Sequence, residues 1–262
     1  MRSIAKLMQD WQFTGPDGKT TLVELPHTWN AKDGQDGGND YWRGTCTYST
    51  TFAAPAFDAA SQEVWLQFEG VNSSAKVLLN GRNICTHDGG YSTFRVHVSD
   101  LLAKDNQLTV EVDNSINDRI YPQKADFTFY GGIYREAELI LTERTAISPL
   151  YLGSDGVLVH PQTVGPEKVE GEIEVHITSK GDNSCTLNVD ITSPRGERVF
   201  SKRQKARLDG KPVSVAFSVD NPTLWSLRDP ALYTVTASIG EDSITDRVAV
   251  RTGFRSIGAS TV

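Results

Sequence analysis

Cysteine is scarce in this sequence, and its three copies are widely separated. Cys46, Cys85 and Cys185 form no Cys-x-x-Cys pair and have no histidine at ligand spacing. An odd number of isolated thiols indicates neither a disulfide framework nor a structural zinc site. A reducing compartment is the simplest location for such a chain, and we expect the cytoplasm.

Long apolar runs and an excess of basic residues are missing as well. No apolar run approaches the roughly 20 residues of a membrane span, and the first ten residues lack the apolar core of a signal peptide. The sequence contains 26 Lys and Arg and 33 Asp and Glu, which gives a formal net charge of −7. Nucleic acids and anionic membranes attract clustered basic residues, so neither is an expected partner.

Helical periodicity is the third absence, because no segment keeps the i, i+3, i+4, i+7 spacing of apolar residues over three turns. Alternation with period 2 is present instead, as in Val64, Leu66 and Phe68. Such alternation is typical of half-buried strands. Asn80-Gly81, between two such segments, suits a type I′ hairpin turn. We therefore predict an all-β protein with antiparallel sheets.

The 262 residues suffice for two domains of ordinary size, at about 100–150 residues each. Alternation lapses near Glu143 and a stretch rich in Pro and Gly follows, so we predict a boundary after Thr145. Residues 1–145, which contain long loops, are predicted to form a jelly-roll-like β-sandwich. Residues 146–262, with five or more short strands, are predicted to form an immunoglobulin-like β-sandwich.

Short motifs follow one another along the chain, and their order is more specific than any one of them. In the first predicted domain they are Leu25-Pro26-His27-Thr28-Trp29-Asn30, Asn39-Asp40-Tyr41-Trp42-Arg43-Gly44, Gly89-Gly90-Tyr91-Ser92-Thr93-Phe94 and Gly131-Gly132-Ile133-Tyr134-Arg135. They resemble the N-terminal sugar-binding domain of family 2 glycoside hydrolases, the group of β-galactosidases, β-glucuronidases and β-mannosidases. Asn221-Pro222-Thr223-Leu224-Trp225 and Gly253-Phe254-Arg255-Ser256-Ile257 are similar to that family's immunoglobulin-like domain.

The resemblance implies a parent enzyme that hydrolyses terminal β-glycosidic bonds with retention, with β-galactosides as the first expectation and β-glucuronides as the second. In the family, two glutamates about 5 Å apart lie on a (β/α)₈ barrel after the Gly-Phe-Arg-Ser-Ile motif. Such a barrel takes about 250 residues, and the Asn-Glu dipeptide of its acid/base residue is absent here. We therefore expect residues 1–262 to be inactive alone and to work with their own C-terminal barrel.

Three residues are substrate-binding candidates through the resemblance. Asp126 lies at the offset from the Gly-Ile-aromatic-Arg motif at which the family places an aspartate that contacts sugar hydroxyls. A carboxylate accepts strong hydrogen bonds from hydroxyls. The alternative for Asp126 is a residue that caps a turn. Asn39, with Asp40 beside it, matches a second position at the edge of the sugar pocket. The alternative for Asn39 is a turn residue next to Gly38.

Two other functions stay open at this point. One is a free-standing carbohydrate-binding or adhesion module that ends at Val262. The other is a complete hydrolase on a β-sandwich, which requires a carboxylate pair that the sequence does not reveal. Carbohydrate is the expected ligand in every case. No cofactor or catalytic residue is indicated within the chain, and a sodium or magnesium ion in the parent enzyme and a homo-oligomer both stay open.

Several other conspicuous residues have ordinary structural explanations. Trp42 and Trp65 fall in strand patterns and are predicted to pack in a core or between domains. His87-Asp88 precedes two glycines with no Ser or Cys placed to use it, so a loop is predicted. The basic run from Lys202 to Arg207 is predicted to be the charged side of an edge strand.

Overall fold

The computed structural model describes residues 1–31, 41–122, 125 and 127–257. These residues form β-strands, loops and one 3₁₀ turn at Ser99–Leu101, which confirms the all-β prediction. No helix in this part of the chain has the length and apolar character needed to cross a membrane. The chain divides into two compact units, Ser3–Leu141 and Thr142–Val262 together with Met1–Arg2.

The described part of the unit Ser3–Leu141 contains twelve strands, and we call it the first unit. The strands are β1 (Ser3–Lys6), β2 (Trp11–Thr14), β3 (Thr20–Val23), β4 (Thr45–Ala53), β5 (Gln62–Phe68), β6 (Val71–Asn72), β7 (Ser74–Leu79), β8 (Arg82–Asp88), β9 (Phe94–His97), β10 (Asp105–Asp113), β11 (Gly132–Ile133) and β12 (Ala137–Glu143). Two larger sheets have the orders β1-β12-β5-β9 and β3-β2-β4-β10-β7-β8, and β11 pairs with β6. All of the registers described are antiparallel.

The alternation in the sequence is explained by the core between these two sheets. Val64, Leu66 and Phe68 on β5 face the same buried cluster as Leu108 and Val110 on β10. Each of these side chains is almost completely buried, and burying an aliphatic or aromatic side chain stabilises the fold by roughly 1.5–3 kcal/mol. The two sheets therefore form a β-sandwich.

The predicted hairpin turn is confirmed. Asn80 and Gly81 join β7 to β8 and have φ values of 51° and 78°. Both values lie in the left-handed region that a type I′ turn requires. The turn fixes the register of the β7–β8 pair at one edge of the six-stranded sheet.

The remaining residues form the second unit, whose described part contains nine strands. They are β13 (Ala146–Ile147), β14 (Val157–Val164), β15 (Lys168–Val175), β16 (Ile177–Thr178), β17 (Ser184–Thr192), β18 (Arg198–Arg207), β19 (Val213–Asp220), β20 (Tyr233–Ile239) and β21 (Asp246–Thr252). The sheets have the orders β14-β15-β19, β18-β17-β20-β21 and β13-β16. The Phe254 ring stacks on that of Phe217, with ring centroids 5.9 Å apart, and lies 4.7 Å from the centroid of the Tyr233 ring. All three residues belong to one buried cluster. Strand β18, which carries the basic run, lies at a sheet edge as predicted.

The first two residues of the chain belong to the second unit through a buried ion pair. Arg2 donates from Nε to Asp246 Oδ1 and from Nη2 to Asp246 Oδ2, both at 3.0 Å. Arg2 Nη2 also donates to the Ile147 carbonyl at 2.6 Å, and the Ile147 amide donates to Asp246 Oδ2 at 2.7 Å. The fully buried Asp246 carboxylate is thereby neutralised and hydrogen-bonded on both oxygens.

Candidate functional site

The three predicted substrate-binding residues, Asn39, Asp40 and Asp126, lie outside the described residues, so their roles stay predictions. The chain on either side of them is described. Residues 28–31 and 41–44 flank the first segment, and residues 127–131 follow Asp126. A candidate site is therefore built here from these flanking residues and their neighbours.

The flanking segments come together at one end of the first unit. The Phe129 amide donates to Tyr41 Oη at 3.1 Å, and the Arg43 guanidinium lies 4.9 Å from the centre of the Phe129 ring. Asn72, at the end of β6, donates from Nδ2 to the Tyr130 carbonyl at 2.7 Å. The segment before β4, the segment before β11 and the end of β6 therefore share one surface.

This surface contains a cleft of about 280 Å³ that is lined by Thr28, Asn72, Tyr91, Tyr130 and Tyr134; we call it the tyrosine cleft. Tyr91 and Tyr130 are 60% and 40% exposed. Tyr134 donates its hydroxyl proton to the Gly90 carbonyl, which holds its ring edge-on to that of Tyr91. Exposed aromatic rings such as those of Tyr91 and Tyr130 can pack against the apolar face of a sugar ring.

The two tryptophans that were predicted to pack in a core behave differently. Trp65 is buried on β5, as predicted. The predictions of a strand and of core packing are wrong for Trp42, because its side chain is 39% exposed and lies before β4, which begins only at Thr45. The Trp42 ring folds over Gly44, where a Cβ would lie 2.5 Å from Trp42 Cζ2, and meets Trp29 edge-on at 5.9 Å. Glycine at position 44 thus allows an aromatic side chain to remain at the surface.

The prediction for His87 and Asp88 is also wrong, since both residues lie on β8 and a serine is in reach. His87 Nε2 lies 3.0 Å from Ser92 Oγ and 3.1 Å from the Gly89 carbonyl. A carbonyl oxygen can only accept, so the contact with Gly89 favours the tautomer that carries the proton on Nε2, and in that tautomer Nε2 donates and is not a base for Ser92. Arg119 donates from Nε to Asp88 Oδ2 at 2.8 Å, and this hydrogen bond lowers the pKa of the Asp88 carboxyl group. These contacts describe a structural network rather than a hydrolytic triad.

A cluster of three glutamates was not recognisable from the sequence. Carboxylate oxygens of Glu69, Glu136 and Glu138 lie within 4.8 Å of one another. Glu138 is buried and accepts from Gln67 Nε2 at 2.8 Å, whereas Glu136 pairs with Lys6 at 2.7 Å. Burial, with Glu136 as its neighbour, raises the pKa of Glu138, and the hydrogen bond from Lys6 lowers the pKa of Glu136. Gln67 and Lys6 thus give Glu138 and Glu136 structural partners within this cluster.

The raised pKa of Glu138 predicts a pH-dependent effect of Glu138→Gln. Below the unfolded pKa of about 4.5, the carboxyl group is protonated in both states, and its favourable contribution is lost as the pH rises through the folded pKa. The amide keeps an acceptor for Gln67 and carries no charge. We expect the variant to melt roughly 3 °C higher than the wild type at pH 7 and at the same temperature at pH 3.5, in calorimetry. Glu136→Gln is the control and should not raise the melting temperature. If Glu138→Gln raises the melting temperature equally at both pH values, the raised pKa of Glu138 is not the cause.

Comparison with known proteins places the chain in a family. Residues 34–140 match the glycosyl hydrolase 2 galactose-binding domain-like family, and residues 157–255 match glycosyl hydrolases family 2. The galactose-binding-like match precedes the second match, which is the order that the motifs predicted. The chain belongs to glycoside hydrolase family 2.

Three relatives illustrate the range of names among similar proteins. A β-glucuronidase of Bacteroides fragilis is 34% identical over 248 residues, which cover 90% of this chain and 35% of that enzyme. A β-galactosidase of Thermoanaerobacterium thermosulfurigenes is 28% identical over 202 residues, 73% of this chain and 27% of that enzyme. The crystal structure of an FMN-binding β-glucuronidase from Facaelibacterium prausnitzii superposes with a TM-score of 0.87 at 35% identity, over 97% of this chain and 39% of that one. The chain thus spans about a third of the length of these relatives.

Proposed function

We propose that this chain supplies the sugar-binding side of a retaining β-glycosidase, and that its substrates are terminal β-glucuronides. The observation that carries the proposal is the tyrosine cleft beside the segments that flank Asn39, Asp40 and Asp126. Tyrosine rings offer a surface for a sugar ring, and the carboxylate of Asp126 would accept hydrogen bonds from its hydroxyls. The bond-breaking glutamates would be supplied by a (β/α)₈ barrel acting with this chain.

Glucuronide is preferred over galactoside because the relatives at 34% and 35% identity are both β-glucuronidases by name. A β-galactosidase is the second candidate, favoured by the relative at 28% identity. The decisive assay uses the protein carrying these two units together with the barrel, with nitrophenyl β-glucuronide and nitrophenyl β-galactoside as substrates. A larger kcat/KM on the glucuronide supports the first candidate, a larger value on the galactoside supports the second, and no turnover on either overturns the enzymatic proposal.

The role of Asp126 is tested by Asp126→Ala in the same protein. A charge-assisted hydrogen bond contributes about 1.5–3 kcal/mol, so we expect kcat/KM to fall roughly tenfold to a hundredfold. Asp118→Ala, which removes an exposed carboxylate from the same connection between β10 and β11, is the matched control. If Asp126→Ala leaves kcat/KM as high as Asp118→Ala does, Asp126 does not contact the sugar.

A further inference from the structure

Two asparagines are completely buried at the end of the first unit that carries the tyrosine cleft. Asn30 lies in the loop between β3 and β4, and Asn114 directly follows β10. A buried amide without partners costs about 1–3 kcal/mol for each unpaired polar group. Both side chains therefore need fixed hydrogen-bond partners, and those partners identify what the amides hold in place.

The Asn30 amide links the two segments that flank the candidate sugar-binding residues. Its Nδ2 donates to the Trp42 carbonyl at 2.9 Å. Its Oδ1 accepts from the Gly131 amide at 2.8 Å and from Asn114 Nδ2 at 3.1 Å. Asn30 precedes residues 32–40, Trp42 follows them, and Gly131 lies five residues after Asp126.

The Asn114 amide completes the same link from the other side. Its Oδ1 accepts from the Gly44 amide at 2.9 Å, and its Nδ2 donates to the Phe129 carbonyl at 2.9 Å as well as to Asn30. The Asn114 carbonyl accepts from Arg43 Nε at 2.7 Å. One pair of side chains therefore connects the chain before β4, the chain before β11 and the end of β10.

We propose that Asn30 and Asn114 are positioning residues, which hold residues 41–44 and residues 127–131 in one arrangement beside the tyrosine cleft for sugar binding. The inference rests on the proposed function, because positioning has meaning only if Asp126 contacts the sugar. The physical reason is that the hydrogen bonds described for the two side chains end on backbone groups of these segments or on the other amide. A shift of either segment would break hydrogen bonds of two completely buried amides, and an unpaired polar group costs more in the interior than at the surface.

The chain itself allows a direct test of the link by amide hydrogen exchange. In Asn114→Ala, the amides of Gly44 and Gly131 should exchange at least tenfold faster. The Gly44 amide loses its acceptor, Asn114 Oδ1. The Gly131 amide donates to Asn30, whose side chain loses its hydrogen bond from Asn114. Asn106→Ala is the matched control: Asn106 is an equally buried amide at the opposite end of β10, bonded to Ala103 and Asn80. Unchanged exchange at Gly44 and Gly131, or the same acceleration in Asn106→Ala, overturns the inference.

A double-mutant cycle on kcat/KM tests the function of the link in the protein with its barrel. Asn114→Ala should lower kcat/KM about tenfold in the wild-type background and less than twofold in the Asp126→Ala background, because its effect passes through Asp126. A general structural defect would instead multiply the two losses. Asn114→Ser, which keeps one hydroxyl, replaces Asn114→Ala if the latter does not fold.

The outcomes of the cycle separate the two proposals. Coupled losses support both the sugar contact and the positioning role. Independent losses leave the sugar contact of Asp126 in place and overturn the positioning role. An Asp126→Ala variant with unchanged kcat/KM overturns the sugar contact and, with it, the positioning role.

Discussion

Replacing Arg2 with alanine should lower the free energy of unfolding of the second unit by about 3 kcal/mol or more, because removal of one partner leaves a buried charge uncompensated. Asp246 is fully buried, and Arg2 contacts both of its oxygens at 3.0 Å. The substitution also removes the donor to the Ile147 carbonyl. A residue at the second position of the chain is thus expected to stabilise strands that follow it by more than 140 residues.

Trp225 provides the measurement, because it is the one tryptophan of the sequence after Trp65. In protein labelled with 5-fluorotryptophan, its ¹⁹F signal reports unfolding of the second unit during urea titration. The double variant Arg2→Met with Asp246→Leu should be more stable than Arg2→Ala, since it removes both charges. Lys19→Ala, which breaks an exposed pair with Asp17, is the control and should leave the Trp225 transition in place. A loss below about 0.5 kcal/mol for Arg2→Ala would show that the ion pair does not stabilise the unit.

Gly132→Ala should destabilise the first unit by about 3 kcal/mol or more. Gly132 has a φ of 139°, a conformation that residues with a Cβ rarely adopt, and a Cβ there would lie 2.3 Å from the His27 carbonyl oxygen. The oxygen belongs to the backbone, so no change of rotamer relieves the clash. Residues 27–29 and 131–133 are joined by backbone hydrogen bonds from His27 to Ile133 and from Trp29 to Gly131, which the displacement would weaken.

Gly18→Ala separates the two causes of this effect. Gly18 also has a positive φ, 73°, but nothing lies within 4 Å of its potential Cβ. Its substitution should cost only about 1 kcal/mol, the penalty for a left-handed alanine. Urea titrations followed by the ¹⁹F signals of Trp11 and Trp65 measure both variants. If Gly132→Ala and Gly18→Ala lower the free energy of unfolding by the same amount, the clash between a Cβ at position 132 and the His27 carbonyl oxygen does not destabilise the unit.

The site could be predicted only in part, and the reasons differ between residues. The motifs indicated a sugar-binding role at Asp126, Asn39 and Asp40, which stays a prediction. No signal in the sequence marks Asn30 or Asn114 as buried, because an asparagine in a loop or just after a strand is typical of an exposed turn. Their burial depends on partners contributed by distant segments, such as Trp42, Gly44 and Phe129.

The sequence by itself determined the all-β class, the inward faces of the strands and the Asn80-Gly81 hairpin. These features depend on alternation and on local φ preferences, which neighbouring residues decide. Only the tertiary structure placed Ser92 beside His87, Trp42 at the surface and Arg2 on Asp246. Arg2 and Asp246 are 244 residues apart, and their contact depends on burial, which leaves the Asp246 carboxylate in need of a partner. The position of Trp42 and the contact of His87 with Ser92 depend on the paths of the chain around them, which alternation does not determine.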